Sequence, residues 1–391
     1  MQILHTSDWH IGKRLGRFDR FDEAEAALIE VERVADDRDV ELILVSGDVF
    51  DRPAPPIEVL GMGLRWLLRL AAQRPVVAVA GNHDSPELFE TLAPLVRPRG
   101  VHLVGTIKRP DRGGVLGPDE LGVPARVACF PFLREGHVVD FMSDVGQWYR
   151  GYAERVARIC AAYNDALTAA AGVGEVPLLM AHFLVNGVKV DRAGPRGERE
   201  LHMGAAYAAT PQAIPPGPQY VALGHIHAPQ RVPGAPVPAE YAGSLLPLDF
   251  GEAGEQKRVV VVDAAPGRLA VAESVPLPCR PPLVRRSGTW EEIETGAGEL
   301  QHAYLDLTVE TSAVDMTLGQ RARALFPLLV NVRPLRRESD RGERETRRGR
   351  TLPQLYDAYY RRERPGEEPP GDLLDLLRDV LEEADAADAP A

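Results

Sequence analysis

The sequence predicts a layered α/β protein on three observations. Short, almost wholly apolar segments alternate with helical stretches through the N-terminal quarter of the chain. Each such segment ends in serine or glycine, followed at once by Asp, Asn or His. The resulting order of strand, helix, strand, helix, strand is the one that right-handed crossovers wind into a sheet covered by helices. In such sheets, ligands gather outside the carboxyl ends of the strands.

Gln2 to Thr6 reads as the first strand, closed by Ser7-Asp8-Trp9-His10. Asp8 and His10 stand two apart, so an extended backbone turns both to one side. Phe21, Ala24, Leu28, Val31 and Ala35 form a helical stripe. Val40 to Val45 is apolar enough to be buried on both faces. Ser46-Gly47-Asp48-Val49-Phe50-Asp51 closes it, with a glycine that permits a tight turn before Asp48. Leu60 to Leu70 is the second helix. Pro75 to Ala80 is the third strand and leads into Gly81-Asn82-His83-Asp84; Ser85-Pro86 then opens another helix.

Residues 106 to 125 are rich in Gly, Pro and charge and read as a surface excursion. Strand Arg126 to Pro131, helix Tyr149 to Ala170 and strand Leu178 to Ala181 follow, the last ending in His182. Residues 186 to 204 read as a mobile loop over the site. Tyr220 to Leu223 is the next strand and ends in Gly224-His225-Ile226-His227, repeating the spacing of Asp8 and His10. Tyr241 to Phe250 and Arg258 to Val262 supply further strands.

Five of the ten histidines, His10, His83, His182, His225 and His227, fall just past strand ends. His5, His102, His137, His202 and His302 do not, and read as core or surface residues. Cys129, Cys160 and Cys279 are far apart and lack a CxxC spacing, so they read as small core residues of a reduced cytosol. A net charge of −12 argues against nucleic-acid binding through the overall field, though not through a local patch or a metal-neutralised site. No run of about 18 apolar residues suggests a membrane span, and the N-terminus starts directly on a strand, without the pattern of a signal segment.

The polar groups at strand ends are Asp8, His10, Asp48, Asn82, His83, His182, His225 and His227. Carboxylate, amide and imidazole without thiolate suit Mn, Fe or Zn. They exceed what one tetrahedral site needs, and suit two metals roughly 3.5–4 Å apart sharing a carboxylate.

The motifs DxH, GDxxD, GNHD, a lone His and GHxH, in this order, resemble those of the calcineurin-like metallophosphoesterases. Thr6-Ser7-Asp8-Trp9-His10-Ile11-Gly12-Lys13, Ser46 to Asp51, and Tyr241-Ala242-Gly243-Ser244-Leu245 are similar to the corresponding segments of the SbcD family, nuclease components of bacterial SbcCD complexes. The resemblance spans residues 1 to about 275. It implies an αββα core and two Mn²⁺ ions. Asp8, His10, Asp48 and His227 would hold one ion, and Asp48, Asn82, His182 and His225 the other, with Asp48 bridging. His83 would face the scissile phosphate, and Asp84 would orient His83; Asp51 would support the site likewise.

It also implies a metallophosphoesterase nuclease domain over 1–275, a small α+β capping, DNA-binding domain over 276–335, and a linker with helices over 336–391 that dock on an SbcC-type coiled-coil ATPase. Pro276, Pro278, Pro281 and Pro282 mark the first boundary. Strand Ala303 to Val309, helix Leu318 to Leu325 and strand Pro327 to Val332 make the cap. Arg333 to Arg350 is an arginine-dense run, either a solvated linker or a phosphate or partner contact. Leu352 to Tyr360 and Leu373 to Leu381 are apolar-striped helices suited to a partner's groove. The expected activity is cleavage of DNA, as exonuclease on duplex ends and endonuclease on single strands and hairpins. The expected assembly is a homodimer within a heterotetramer, cytoplasmic and nucleoid-associated. The alternative is a phosphodiesterase or phosphatase acting on small nucleotides or proteins with the same metals.

Overall fold

Strands this apolar need two faces to bury, and the fold supplies both. The computed structural model describes residues 1–134, 151–170, 174–189, 208–311, 315–336, 351–364, 368–373 and 375–376. Gln2–Thr6, Leu42–Val45, Val76–Val79 and Val101–Val104 run parallel in that order. Arg258–Asp263 and Val271–Pro276 extend this six-stranded sheet antiparallel beyond Gln2–Thr6.

Successive residues point to opposite faces. Leu4, Ile43, Val45, Val76 and Ala78 pack on helices Phe21–Asp37 and Ile57–Leu70 through Leu28, Val31, Trp66 and Leu67. Ile3, Leu42, Leu44, Val77 and Val79 face the other way and meet Val127, Leu178, Met180, Tyr220 and Ala222 of a second sheet. That sheet runs in the order Gln230–Arg231, Ala239–Tyr241, Tyr220–Gly224, Val176–His182, Ala125–Phe130, Val115–Leu116. Its outer face packs Phe130, Leu179, Ala181 and Leu223 on helix Tyr152–Ala170 through Val156, Ile159 and Tyr163. The layers are therefore helices, sheet, sheet, helix. Each fully buried aliphatic side chain contributes about 1.5–3 kcal/mol.

The expected helix start at Ser85 is present: its hydroxyl accepts from the Leu88 N–H at 3.1 Å, with Pro86 in the first turn. Two expectations are corrected. Of Tyr241 to Phe250, only Tyr241 is in a strand. Gly243 takes φ 84°, Pro247 lacks an N–H, and the chain curls into the short helix Phe250–Glu252. The excursion over residues 106 to 125 is partly ordered, since Val115–Leu116 pairs antiparallel with Ala125–Phe130 at the sheet edge.

Proline ends the first sheet at Val271–Pro276, and a third sheet begins at Leu283–Thr289, a strand that the proline-rich composition hid. It lies parallel to Tyr304–Thr311, with Leu329–Arg336 on the far side. Ile293, Leu305, Leu307, Ala322 and Phe326 form this sheet's own apolar core. It meets the larger core through Tyr304, whose hydroxyl donates to Glu23 Oε1 at 2.7 Å, and through Leu15, Phe250 and Leu283.

The chain divides into two compact units, the larger of which holds Met1–Glu310 and Asp315–Leu335. In the smaller, helix Leu352–Glu363 opens with a capping box in which Gln354 Oε1 accepts from the Thr351 N–H at 2.9 Å. Most of the second candidate helix, Leu373 to Leu381, and of the arginine-dense run lies outside the described residues, as do residues 190 to 204. Among the described residues, no helix is long and apolar enough to cross a membrane.

Candidate metal centre

The strand ends of both sheets meet at one place, and the backbone there is strained. Asp8, His10, Asp48 and His225 have positive φ, which only one other non-glycine residue among those described, Asp39, shares. Left-handed backbone disfavours a residue with a Cβ by roughly 1–2 kcal/mol, and such strain concentrates at functional sites. Two glycines make the approach feasible. At Gly47, φ 95°, an added Cβ would lie 2.2 Å from His182 Nδ1. At Gly81 it would lie 2.1 Å from Asp48 Oδ1.

The eight polar residues singled out at the strand ends gather here, with Asp84 and Asp51 beside them. Asp48 Oδ2 lies 3.5 Å from His10 Nε2 and also 3.5 Å from His182 Nε2. His227 Nε2 stands 3.1 Å from His10 Nε2. Asn82 Oδ1 is 3.0 Å from His182 Nε2 and 2.9 Å from His225 Nδ1. Asp8 accepts from the Ser7 hydroxyl and, at 3.1 Å, from the His225 N–H, which ties the first sheet's site loop to the second's. Ligand atoms of Asp8, His10 and His227, of Asp8, Asp48 and His182, and of His10, Asp48 and His83 fall within 4.8 Å of one another.

Three of the other ring nitrogens are held by oxygens. His182 Nδ1 donates to the Ser46 carbonyl at 2.7 Å, His227 Nδ1 to Glu252 Oε1 at 3.0 Å, and His83 Nδ1 to the Asp51 carbonyl at 2.9 Å. Those bonds place the neutral-ring lone pair on Nε2 in each case. The His83 ring stands edge-on to His10, with centroids 4.7 Å apart.

One correction and one omission concern the supports. Asp84 does not orient His83. Its buried carboxylate accepts from the backbone N–H groups of Val49 at 3.2 Å, Phe50 at 2.9 Å and Gly81 at 2.9 Å, and so ties the Asp48 loop to the Asn82 loop. Asp51 faces the site: its carbonyl accepts from His83 Nδ1 at 2.9 Å, and its carboxylate lies 3.7 Å from His10 Nδ1 and 3.1 Å from Lys13 Nζ. Sequence reasoning missed Glu252 and Lys257, which stand behind His227 in a segment without any motif.

Electrostatics mark Asp48 as the focus. Burial alone would raise its carboxyl, but the facing His182 and His10 hold it well below the usual range. Burial opposes a charge on His182, yet Asp48 raises that imidazole to about 9. Burial and then the Asp48 charge push Asp84 up to about 7. Two buried carboxylates and several inward lone pairs need positive charge. The donor set fits divalent cations: Asp8 and Asp48 bring charge, Asn82 an amide oxygen, and His10, His182, His225 and His227 imidazole nitrogens.

Of the other histidines, His5 is fully buried, His102 is buried, and His302 is exposed; His137 and His202 lie outside the described residues. The cysteines stay out of the site. Burial pushes the Cys160 thiol up to about 12.

Residues 1–229 match the calcineurin-like phosphoesterase family, and the chain belongs to it. Three curated relatives carry the name of the SbcD component of the nuclease SbcCD. The Rhodobacter capsulatus protein is 34% identical over 73% of this chain and 71% of its own. The Bacillus subtilis protein is 29% identical over the full length of both chains. The Escherichia coli K12 protein is 28% identical over 88% and 87%. Within the phosphoesterases, the chain therefore falls in the SbcD family.

Proposed function

We propose that the chain is a metal-dependent DNA nuclease of the SbcCD type, hydrolysing phosphodiester bonds at the centre described above. The observation that carries the reading is Asp48 Oδ2 at 3.5 Å from histidines of both ligand groups, in a chain of the SbcD family. Asp8, His10, Asp48 and His227 would hold one cation, and Asp48, Asn82, His182 and His225 the other; Mn²⁺ is the proposed metal.

When bound, such cations polarise a phosphoryl oxygen and make water a nucleophile near neutral pH. The protein's own groups do the rest. Asp8 and Asp48 sit on strained turns that fix their oxygens before substrate arrives. His83, tied through Nδ1 to Asp51, has Nε2 left to hold a proton, and in the protonated ring this atom donates to the leaving oxygen. Asp84 locks the two loops that carry these residues.

Exonuclease action on duplex ends, endonuclease action on single strands and hairpins, a homodimer within a heterotetramer, and a cytoplasmic, nucleoid-associated setting complete the proposal. The segments 1–275, 276–335 and 336–391 would serve as nuclease domain, DNA-holding cap, and linker with helices docking on an SbcC-type ATPase. The purified chain with Mn²⁺ should hydrolyse linear duplex DNA in preference to a cyclic nucleotide. His83→Gln should retain both metals and lose activity by about 10²–10⁴-fold. Preference for the cyclic nucleotide would overturn the substrate, and loss of metal in His83→Gln would overturn that residue's role.

A further inference from the structure

A buried charge network lies behind the last histidine pair. Glu252 is 5% exposed and Lys257 is 0% exposed. Glu252 Oε1 accepts from His227 Nδ1 at 3.0 Å. Glu252 Oε2 accepts from the Leu248 N–H at 3.0 Å and from Lys257 Nζ at 2.7 Å. Lys257 Nζ also donates to the His227 carbonyl at 3.0 Å and to Glu255 Oε2 at 2.7 Å. His227 is thus held at both ends, its ring through Glu252 and its main chain by Lys257. A buried ion pair is weak evidence for stability as such, because apolar residues of similar volume often do as well. Here its geometry is directed at one imidazole. With the proton placed on Nδ1, the ring can turn only Nε2 inward, and that atom lies 3.1 Å from His10 Nε2.

We infer that Glu252 and Lys257 are positioning residues for the cation that His227 would ligate. Glu252 selects the ring's tautomer and rotation, and Lys257 fixes both the carboxylate and the main chain of His227. The inference rests on the two-cation reading above. It also predicts an asymmetry. His182 leans on a neutral carbonyl, that of Ser46, so the ion held by Asn82, His182 and His225 does not depend on this network.

The test is calorimetric titration of the metal-stripped full-length chain with Mn²⁺, alongside thermal unfolding of the stripped protein. Wild type should show two binding steps. Glu252→Ala should weaken one step by about 10–100-fold and leave the other unchanged. Glu252→Gln, which keeps the volume and an amide oxygen for Nδ1, should lose less, and it serves if the alanine variant does not fold. In ¹⁵N-histidine-labelled stripped protein, the His227 signal should report an Nδ1-protonated ring in wild type and mixed tautomers in Glu252→Ala. Two unchanged steps in either variant would overturn the inference, as would equal weakening of both steps with a lowered unfolding temperature. Wild type binding fewer than two Mn²⁺ would instead undo the two-cation reading.

Discussion

Gly47→Ala tests whether the site depends on close approach of the two sheets. Gly47 has φ 95°, and its new Cβ would lie 2.2 Å from His182 Nδ1, 2.8 Å from His182 Cγ and 3.0 Å from Gly81 Cα. His182 cannot swing aside, because it is fully buried and its Nδ1 bonds the Ser46 carbonyl at 2.7 Å. The left-handed backbone costs roughly 1–2 kcal/mol, and forcing a group into a packed interior adds about 1–3 kcal/mol. The sum is about 2–5 kcal/mol. Gly122→Ala isolates the first part, since Gly122 has φ 72° with nothing within 4 Å of a Cβ. Urea unfolding of the stripped proteins should therefore rank Gly47→Ala below Gly122→Ala by about 1–3 kcal/mol. Mn²⁺ titration should show Gly47→Ala weakened at the step that involves His182. Equal stability of the two variants, with metal binding intact in Gly47→Ala, would refute the packing argument.

Asp48→Ala should empty both metal sites; two retained Mn²⁺ ions, counted by atomic absorption, would exclude a bridging role. His5 sets an acid-stability prediction. Burial, then Arg258, lowers its imidazole to about 3, and it pairs with the Tyr220 hydroxyl at 3.0 Å between the sheets. The unfolded chain takes up a proton below 6.5 while the fold does not, so this contribution is complete above 6.5 and is lost as pH falls toward 3. By about pH 5 the loss is about 2 kcal/mol. His5→Gln should remove that much of the decline in metal-free protein between about pH 7.5 and 5; an unchanged slope in urea unfolding would count against it. Deleting residues 351–391 should abolish pull-down with an SbcC-type ATPase while leaving Mn²⁺ binding intact. Undiminished capture would move the docking surface elsewhere.

The sequence made the donors readable because each follows an apolar strand directly, as His182 follows Leu178 to Ala181. Pairing was readable in the same way, since strands without a polar face must be covered on both sides. What supports the donors was less legible. Asp84 sits beside His83 in sequence yet serves three backbone N–H groups, a role set by how two loops fold together. Glu252 reaches His227 only because Gly243 and Pro247 turn the chain out of the expected strand. Leu283–Thr289 went unread because prolines surround a strand whose burial comes from a partner far along the chain.

The donors are divided between the sheets: Asp8, His10, Asp48 and Asn82 arrive early, while His182, His225 and His227 come from the second sheet, the last two more than halfway along the chain. No product of interrupted translation that stops short of His227 carries the full set. On the two-cation reading, such a fragment would lack a ligand and would not cut DNA.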